Sequence, residues 1–202
     1  MNKRSGTESK KKIINAALKV FTEHGYKGAS MRMIAGAADI SVGGLYLYFD
    51  NKEDLYLTLM KETFSDFTQK VSSALKDTRT SSEAFNLFIT LYLNNAKEHR
   101  GLILIQGREH KFTFGMDIKR RFFIHQRGAI EEIIQRGIKS GEFRKCNVKE
   151  ASKIIFCVLR GFILSLIVEP AALFSPEECS NLILKGLLKN NSETALGETN
   201  GS

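Results

Sequence analysis

Residues 30–55 read SMRMIAGAADISVGGLYLYFDNKEDL. Ser30 is a good N-cap for a short helix from Met31 to Ala38, which presents Ile34, Ala35 and Ala38 on one face. Asp39-Ile40 then turns, and Ser41 caps a second short helix that runs through Tyr48. Two short helices joined by a three-residue turn are the sequence form of a helix-turn-helix, whose second helix enters the major groove of duplex DNA.

The pair Gly43-Gly44 falls on the first turn of that second helix. Each glycine costs about 1 kcal/mol in helix propensity. In return the bare turn lets backbone approach a phosphate or a base edge. Tyr46 and Tyr48 can reach phosphates with their hydroxyls while their rings pack on sugars. Leu45 and Phe49, four apart, are expected to face inward. Lys52 opens the next helix, where a cation opposes the macrodipole, and a phosphate at that helix start would account for it. Lys10, Lys11 and Lys12 could serve the other flank and add salt-dependent affinity.

Outward from this stretch, apolar residues recur at three and four, and strand-like alternation is hard to find. Ile13, Ile14, Ala17, Leu18 and Phe21 line a first helix closed by His24-Gly25. Asn51 with Asp54 opens a long helix toward Asp77, and Thr80 with Glu83 opens another. A short segment, Gly101 to Gln106, precedes a long helix from about Met116 to Ser140, ended by Gly141. Asn147 with Glu150 caps the next, through Val168, stopped by Pro170. Ser175-Pro176-Glu177-Glu178 opens the last, to Lys189. The expected fold is all-α, about nine helices. Residues 1–51 form a three-helix head with the helix-turn-helix, 52–190 a larger helical domain, and 191–202 a polar, disordered tail.

The 202-residue chain carries a formal net charge of +8. Residues 1–61 hold ten Lys/Arg against six Asp/Glu, so under a third of the chain carries half the excess. A basic head favours a polyanion partner. Cys146, Cys157 and Cys179 are odd in number and widely spaced, which points to a reducing, cytoplasmic setting. The N-terminus has no apolar signal core, and the run Ile154–Val168 is short for a bilayer and interrupted by Arg160, so it reads as a buried helix with no membrane partner. His99, His110 and His125 show no metal-ligand spacing, no nucleophile–base pairing can be argued, and no phosphate loop is present. No cofactor, metal or enzymatic activity is expected.

The matching features Ala16-Ala17, Phe21, Gly25-Tyr26, Ser30, Ile34-Ala35, Ile40-Ser41, Gly43, Leu45-Tyr46, Tyr48-Phe49 and Lys52-Glu53-Leu55 resemble the N-terminal domain of the tetracycline-repressor (TetR) family of bacterial regulators. The resemblance covers about residues 10–60. It implies an all-helical homodimer, with 1–51 as the DNA-binding domain and 52–190 as the effector-binding and dimerisation domain, that binds a palindromic operator and is released by a small lipophilic or aromatic effector. Its DNA contacts map to Ser30, Arg32, Ser41, Val42, Gly43, Tyr46, Tyr48 and Lys52, with Gly44 standing where many members carry a small polar residue. Asp39 replaces a common turn glycine. With two glycines on the reading turn, Arg32 and Val42, the latter through thymine methyls, are the best candidates to read bases.

Beyond residue 61 the resemblance fades. All but Phe21 and Phe49 of the fourteen phenylalanines lie there. Phe64, Phe67, Phe85, Phe88, Tyr92, Phe112, Phe122, Phe123 and Phe156, with Gln106 as a polar partner, fit either an aromatic core or the lining of an effector pocket. By resemblance, the last two helices form a four-helix dimer interface, expected through Ile155, Leu159, Phe162, Leu166, Leu184 and Leu187, with Gly161 and Ser165 allowing close approach. Three other readings stay open at this level: a constitutive DNA-binding protein without an effector pocket, a small-molecule-binding protein using the helix-turn-helix only for packing, and a protein of the membrane surface.

Overall fold

Local capping chemistry sets most helix starts in the computed structural model, which describes residues 3–108 and 115–189. Side-chain oxygens of Ser30, Ser41, Asn51, Thr80, Asn147 and Ser175 each accept the backbone N–H three residues on, at 2.9–3.2 Å. Each satisfies one of the amide donors that a helix start leaves without an intrahelical acceptor. The helices are α1 (Lys3–Gly28), α2 (Met31–Ala37), α3 (Val42–Tyr46), α4 (Lys52–Lys76), α5 (Ser81–Glu98), α6 (Arg100–Arg108), α7 (Met116–Lys139), α8 (Val148–Val168) and α9 (Pro176–Leu187), with one 3-10 turn at Pro170–Ala172.

Several bounds differ from expectation by a few residues. α3 ends at Tyr46, so Leu47 and Tyr48 lie in the turn that follows. α9 ends at Leu187, because Leu188 leaves the helix to bridge Phe143. The helical run of α1 extends to Gly28 but is broken at Gly25 (φ 68°, ψ 169°), where the sequence placed its end. Asp39 takes the left-handed conformation (φ 53°) of the α2–α3 turn, which a short polar side chain tolerates. The proposed tail, 191–202, and Phe112 lie outside the described residues.

The described chain forms two compact units. The first, residues up to Gln69 with 96–122, is the head. Its core holds Ile13, Ala17 and Phe21 of α1, Ile34 and Ala35 of α2, and Leu45 of α3. It also holds Leu55, Tyr56, Leu59 and Met60 of α4 and Leu102 and Ile105 of α6. The head therefore does not stop at residue 51. Three short helices cannot enclose Phe21, Leu45 and Phe49, and each fully buried apolar side chain contributes about 1.5–3 kcal/mol only once water is excluded. Phe21, Tyr26 and Tyr56 form a ring cluster with centroids 5.2–5.6 Å apart.

The second unit, residues 70–95 with 123 onward, is organised around GEFR, 141–144. Gly141 (φ 76°) reverses the chain after α7. The Glu142 carboxylate accepts from Ser81 N (2.7 Å) and Ser82 N (2.9 Å) at the start of α5. Phe143 is buried on Gly137, where a Cβ would collide with its ring. Arg144 donates Nε to Gly186 O at 2.6 Å and its backbone N to Leu187 O at 2.9 Å. Four consecutive residues thus tie α7 to α5 and α9.

α8 is not buried all round, as the sequence suggested, and carries two apolar stripes at 3.5-residue spacing. Ile155, Leu159, Phe162 and Leu166 form the first and are buried within their own unit, as are Leu184 and Leu187 of α9. These six were expected at the dimer interface; they fill the unit's interior, because the bulkiest apolar side chains of an amphipathic helix go to the core. The second stripe runs through Ile154 (65% exposed), Val158, Gly161, Ser165 and Val168 (72% exposed), with Leu164 and Leu182 of α9 also exposed. By length and composition α8 could cross a membrane, but one of its faces is committed to this unit's core.

Candidate nucleic-acid interface

α3 is held to the head by Leu45, which is buried, and by Phe49 just beyond it. Tyr46 and Leu47, between them, project outward. Tyr46 is 50% exposed and Leu47 80% exposed, and Val42 is exposed as well. Ser30, Arg32, Ser41 and Gly43 are exposed on the same α2–α3 segment. The caps fix where these residues lie: Ser30 Oγ accepts Met33 N at 3.2 Å and Ser41 Oγ accepts Gly44 N at 3.0 Å. Tyr48 differs from Tyr46, being half-buried and packed against the head core, so its ring anchors the helix end.

The two glycines differ in surroundings. A Cβ on Gly43 would meet nothing within 4 Å, so nothing within the head requires the bare backbone there. A Cβ on Gly44 would come within 3.1 Å of Ser41 Oγ, the atom that caps Gly44 N. That approach is tight, but the five other N-caps accept from residues that carry a Cβ, so the cap alone does not demand glycine at 44.

Lys52 also departs from expectation. Its Nζ donates to Tyr26 O and to Ala29 O, each at 2.8 Å, and lies 4.5 Å from the centre of the Tyr26 ring. A cation at the first position of α4 opposes its own helix dipole. Within the head, the partial negative charge that compensates it is the carbonyl end of α1, just past the break at Gly25. The flanking lysines are engaged within the head: Lys10 Nζ lies 3.4 Å from Glu62 and Lys12 Nζ 3.7 Å from Asp39. These are half-exposed or exposed pairs, worth little in stability.

The expected effector residues come together only in part. Phe64 stacks on Phe122 at 4.3 Å, with Phe67 tilted against Phe122 at 5.8 Å, in the first unit. Phe88, Tyr92, Phe123 and Phe156 interlock in the second, with Arg160 5.3 Å above the Phe123 ring. Burial pushes the Tyr92 hydroxyl well above its usual range, and the charge of Arg160 pulls it part of the way back. Phe85 is also buried. The side chain of Gln106 lies outside the described residues.

A cavity of about 480 Å³ opens instead among α4, α5 and α7 of the second unit. Val71, Leu75, Ala84, Ala129 and Ile133 give it apolar walls, and Lys76, His125, Glu132 and Arg136 give it polar ones. None of the described aromatic residues expected in a pocket lines it. The physical reason is volume: rings packed edge to face fill space, whereas Ala84, Gly128 and Ala129 leave it open. The Gly128-Ala129 pair in α7 was the sequence signal for this cavity.

Residues 13–59 match the family model of bacterial regulatory proteins, tetR family. The fatty acid metabolism regulator protein of Bacillus subtilis (strain 168) is 28% identical over 148 residues, 71% of this chain and 76% of that protein. The crystal structure of the transcriptional regulator FadR from Bacillus subtilis, in complex with stearoyl-CoA, superposes with a TM-score of 0.71 at 25% identity, covering 86% of this chain and 95% of that one. A TetR transcription regulator from Haloarcula marismortui shares the fold with a TM-score of 0.81 at 17% identity, covering 91% of this chain and all of that one. The helix-turn-helix geometry and these likenesses lead to one conclusion: residues 13–59 are a DNA-binding domain of the tetR family of bacterial regulatory proteins, and the chain is a DNA-binding transcriptional regulator.

Proposed function

We propose that this protein is a homodimeric repressor that binds a palindromic operator through Ser30, Arg32, Ser41, Val42, Gly43 and Tyr46, and that an acyl-chain lipophile releases it. The observation that carries the reading is the outward face of α3, where a bare turn at Gly43 stands beside exposed Val42, Tyr46 and Leu47. Apolar side chains there suit thymine methyls, and Arg32 supplies hydrogen bonds to a purine edge. A dimer would set two such faces about 34–36 Å apart, one helical turn of DNA. The outward stripe of α8, with Leu182 of α9, supplies an apolar surface for the second copy.

The effector class follows from the fatty acid metabolism regulator among the relatives and the stearoyl-CoA bound to FadR. The cavity beside α4, α5 and α7 is in the size range of ligand sites, and Lys76 and His125 at its polar wall suit an anionic head group. Val71, Ser72, Leu75 and Lys76 belong to α4, the helix that begins in the head at Lys52. A ligand that favours one placement of α4 shifts the population away from the DNA-competent conformer.

The test is fluorescence anisotropy of a labelled duplex, enriched from a random-sequence library by the wild-type protein, titrated with stearoyl-CoA. The expected result is release at micromolar ligand, and loss of that response in Gly128→Phe, which fills the cavity. Operator affinity that stays flat across acyl-CoA chain lengths contradicts the effector half and leaves a constitutive DNA-binding protein.

A further inference from the structure

We propose that Lys52 is a positioning residue: its ammonium clamps the start of α4 to the α1–α2 joint and so sets the attitude of the helix-turn-helix, without taking a phosphate itself. The inference rests on the DNA-binding reading above. Three contacts carry it: the bonds to Tyr26 O and Ala29 O, both 2.8 Å, and the Tyr26 ring at 4.5 Å.

The location is what makes the clamp consequential. Gly25 breaks the helical ladder of α1, so the carbonyls that follow lie at a helix end and need donors. Tyr26 and Ala29 straddle that short connection, and Ala29 directly precedes Ser30, the N-cap of α2. A single ammonium bonded to both carbonyls fixes the path by which the chain enters the helix-turn-helix. Tyr56, one turn after Lys52 on the same face of α4, meets the Tyr26 ring edge-on at 5.2 Å. The first turn of α4 therefore grips Tyr26 through both a cation and a ring. Movement of α4 transmits to α2 through this grip, and charge-assisted bonds to carbonyls are strong enough to hold it.

A phosphate ligand, a positioning residue and a mere stabiliser make different predictions. A phosphate contact contributes about 0.9 to the slope of log affinity against log salt, and its loss weakens binding uniformly across sequences. A positioning residue sets the register of the base-reading side chains, so its loss weakens the selected sequence and spares the salt slope. A stabiliser changes neither while the protein stays folded. The experiment measures Kd by anisotropy from 50 to 300 mM NaCl at 10 °C for wild type, Lys52→Met and Tyr26→Leu. The probes are a 30-base-pair duplex enriched from a random library by the wild type, and an unselected random duplex. Folding at 10 °C is checked by far-ultraviolet circular dichroism.

The expected result is a loss of at least about tenfold on the enriched duplex for both variants, with the salt slope unchanged. Tyr26→Leu, which keeps every charge, should bind the random duplex as the wild type does. A slope lowered by about 0.9 in Lys52→Met, with equal weakening on both duplexes, overturns the proposal in favour of a phosphate contact. Unchanged affinity in both folded variants overturns it in favour of simple stabilisation. A wild-type protein that enriches no duplex is a different failure, because it removes the DNA-binding reading before either variant is compared.

Discussion

The outward faces of α3 and α8 both expose apolar side chains, yet they differ in every other respect. The α3 face is short and broken by Gly43. It stands in the basic head, with Arg32 on the neighbouring helix and Ser41 at its start. The α8 stripe runs from Ile154 to Val168 at a regular 3.5-residue spacing and is free of charge along its line. A short, bare, basic surface suits a hydrated polyanion with methyl groups in its groove. A long, uncharged stripe with small residues at Gly161 and Ser165 suits a second helix. Exposure alone does not identify a partner; the company kept by the exposed residues does.

That contrast is easiest to break at α8. Leu164→Glu puts a charge on a surface that is 59% exposed in the single chain. The expected outcome is conversion of dimer to monomer by sedimentation equilibrium, with loss of palindrome binding and an unchanged helix content. A dimer of normal affinity places the second copy elsewhere. Leu159→Glu, in the buried stripe, should instead prevent folding, since an unpaired charge would sit in the core.

On α3, Tyr46→Ala removes an exposed ring that the head does not need. Operator affinity should fall by about 1–3 kcal/mol, roughly fivefold to 160-fold, with the thermal midpoint unchanged. A parallel loss of stability would mean that Tyr46 packs rather than binds.

Glu142→Gln sharpens the account of the second unit. Burial alone would raise the Glu142 carboxyl, but hydrogen bonds from Ser82 and Ser81 outweigh it and hold the group below its usual range. The stability it contributes is present above the ordinary carboxylate range and lost as pH falls through the lowered folded value. The variant should lose about 1 kcal/mol at pH 7, as expected for a helix cap, and show a flatter acid limb of stability. An unchanged acid limb would contradict the cap.

The smallest effect is expected at Gly43→Ala. Helix propensity should raise stability by up to about 1 kcal/mol while operator affinity falls. Affinity that holds or rises would mean that the bare turn is not at the DNA.

Much of this was legible in the chain. The serine and asparagine caps, the turn at Asp39 and the helix end at Gly141 are local, and each rests on side-chain-to-backbone chemistry within four residues. The family resemblance pointed to the face of α2 and α3 that is proposed to read DNA. What failed to show required knowledge of three-dimensional neighbours. Lys52 looked unfavourable on its own helix, and the carbonyls that explain it lie more than twenty residues earlier. The two stripes of α8 have the same period, so periodicity could not say which one faces out. Aromatic composition suggested where apolar mass would gather, and the rings gathered there. The cavity formed beside Ala84, Gly128 and Ala129, because empty space is set by small residues. GEFR is only four residues, yet it reaches α5, α7 and α9, none of which is a sequence neighbour except α7.

The most direct test of the central claim is a map of backbone amide chemical-shift changes when the protein is titrated with its enriched duplex. The account predicts that the largest changes fall on Ser30, Arg32, Ser41 through Gly44 and Tyr46, and that α8 is silent. Unmoved resonances on α3, with changes concentrated on another surface, would contradict it.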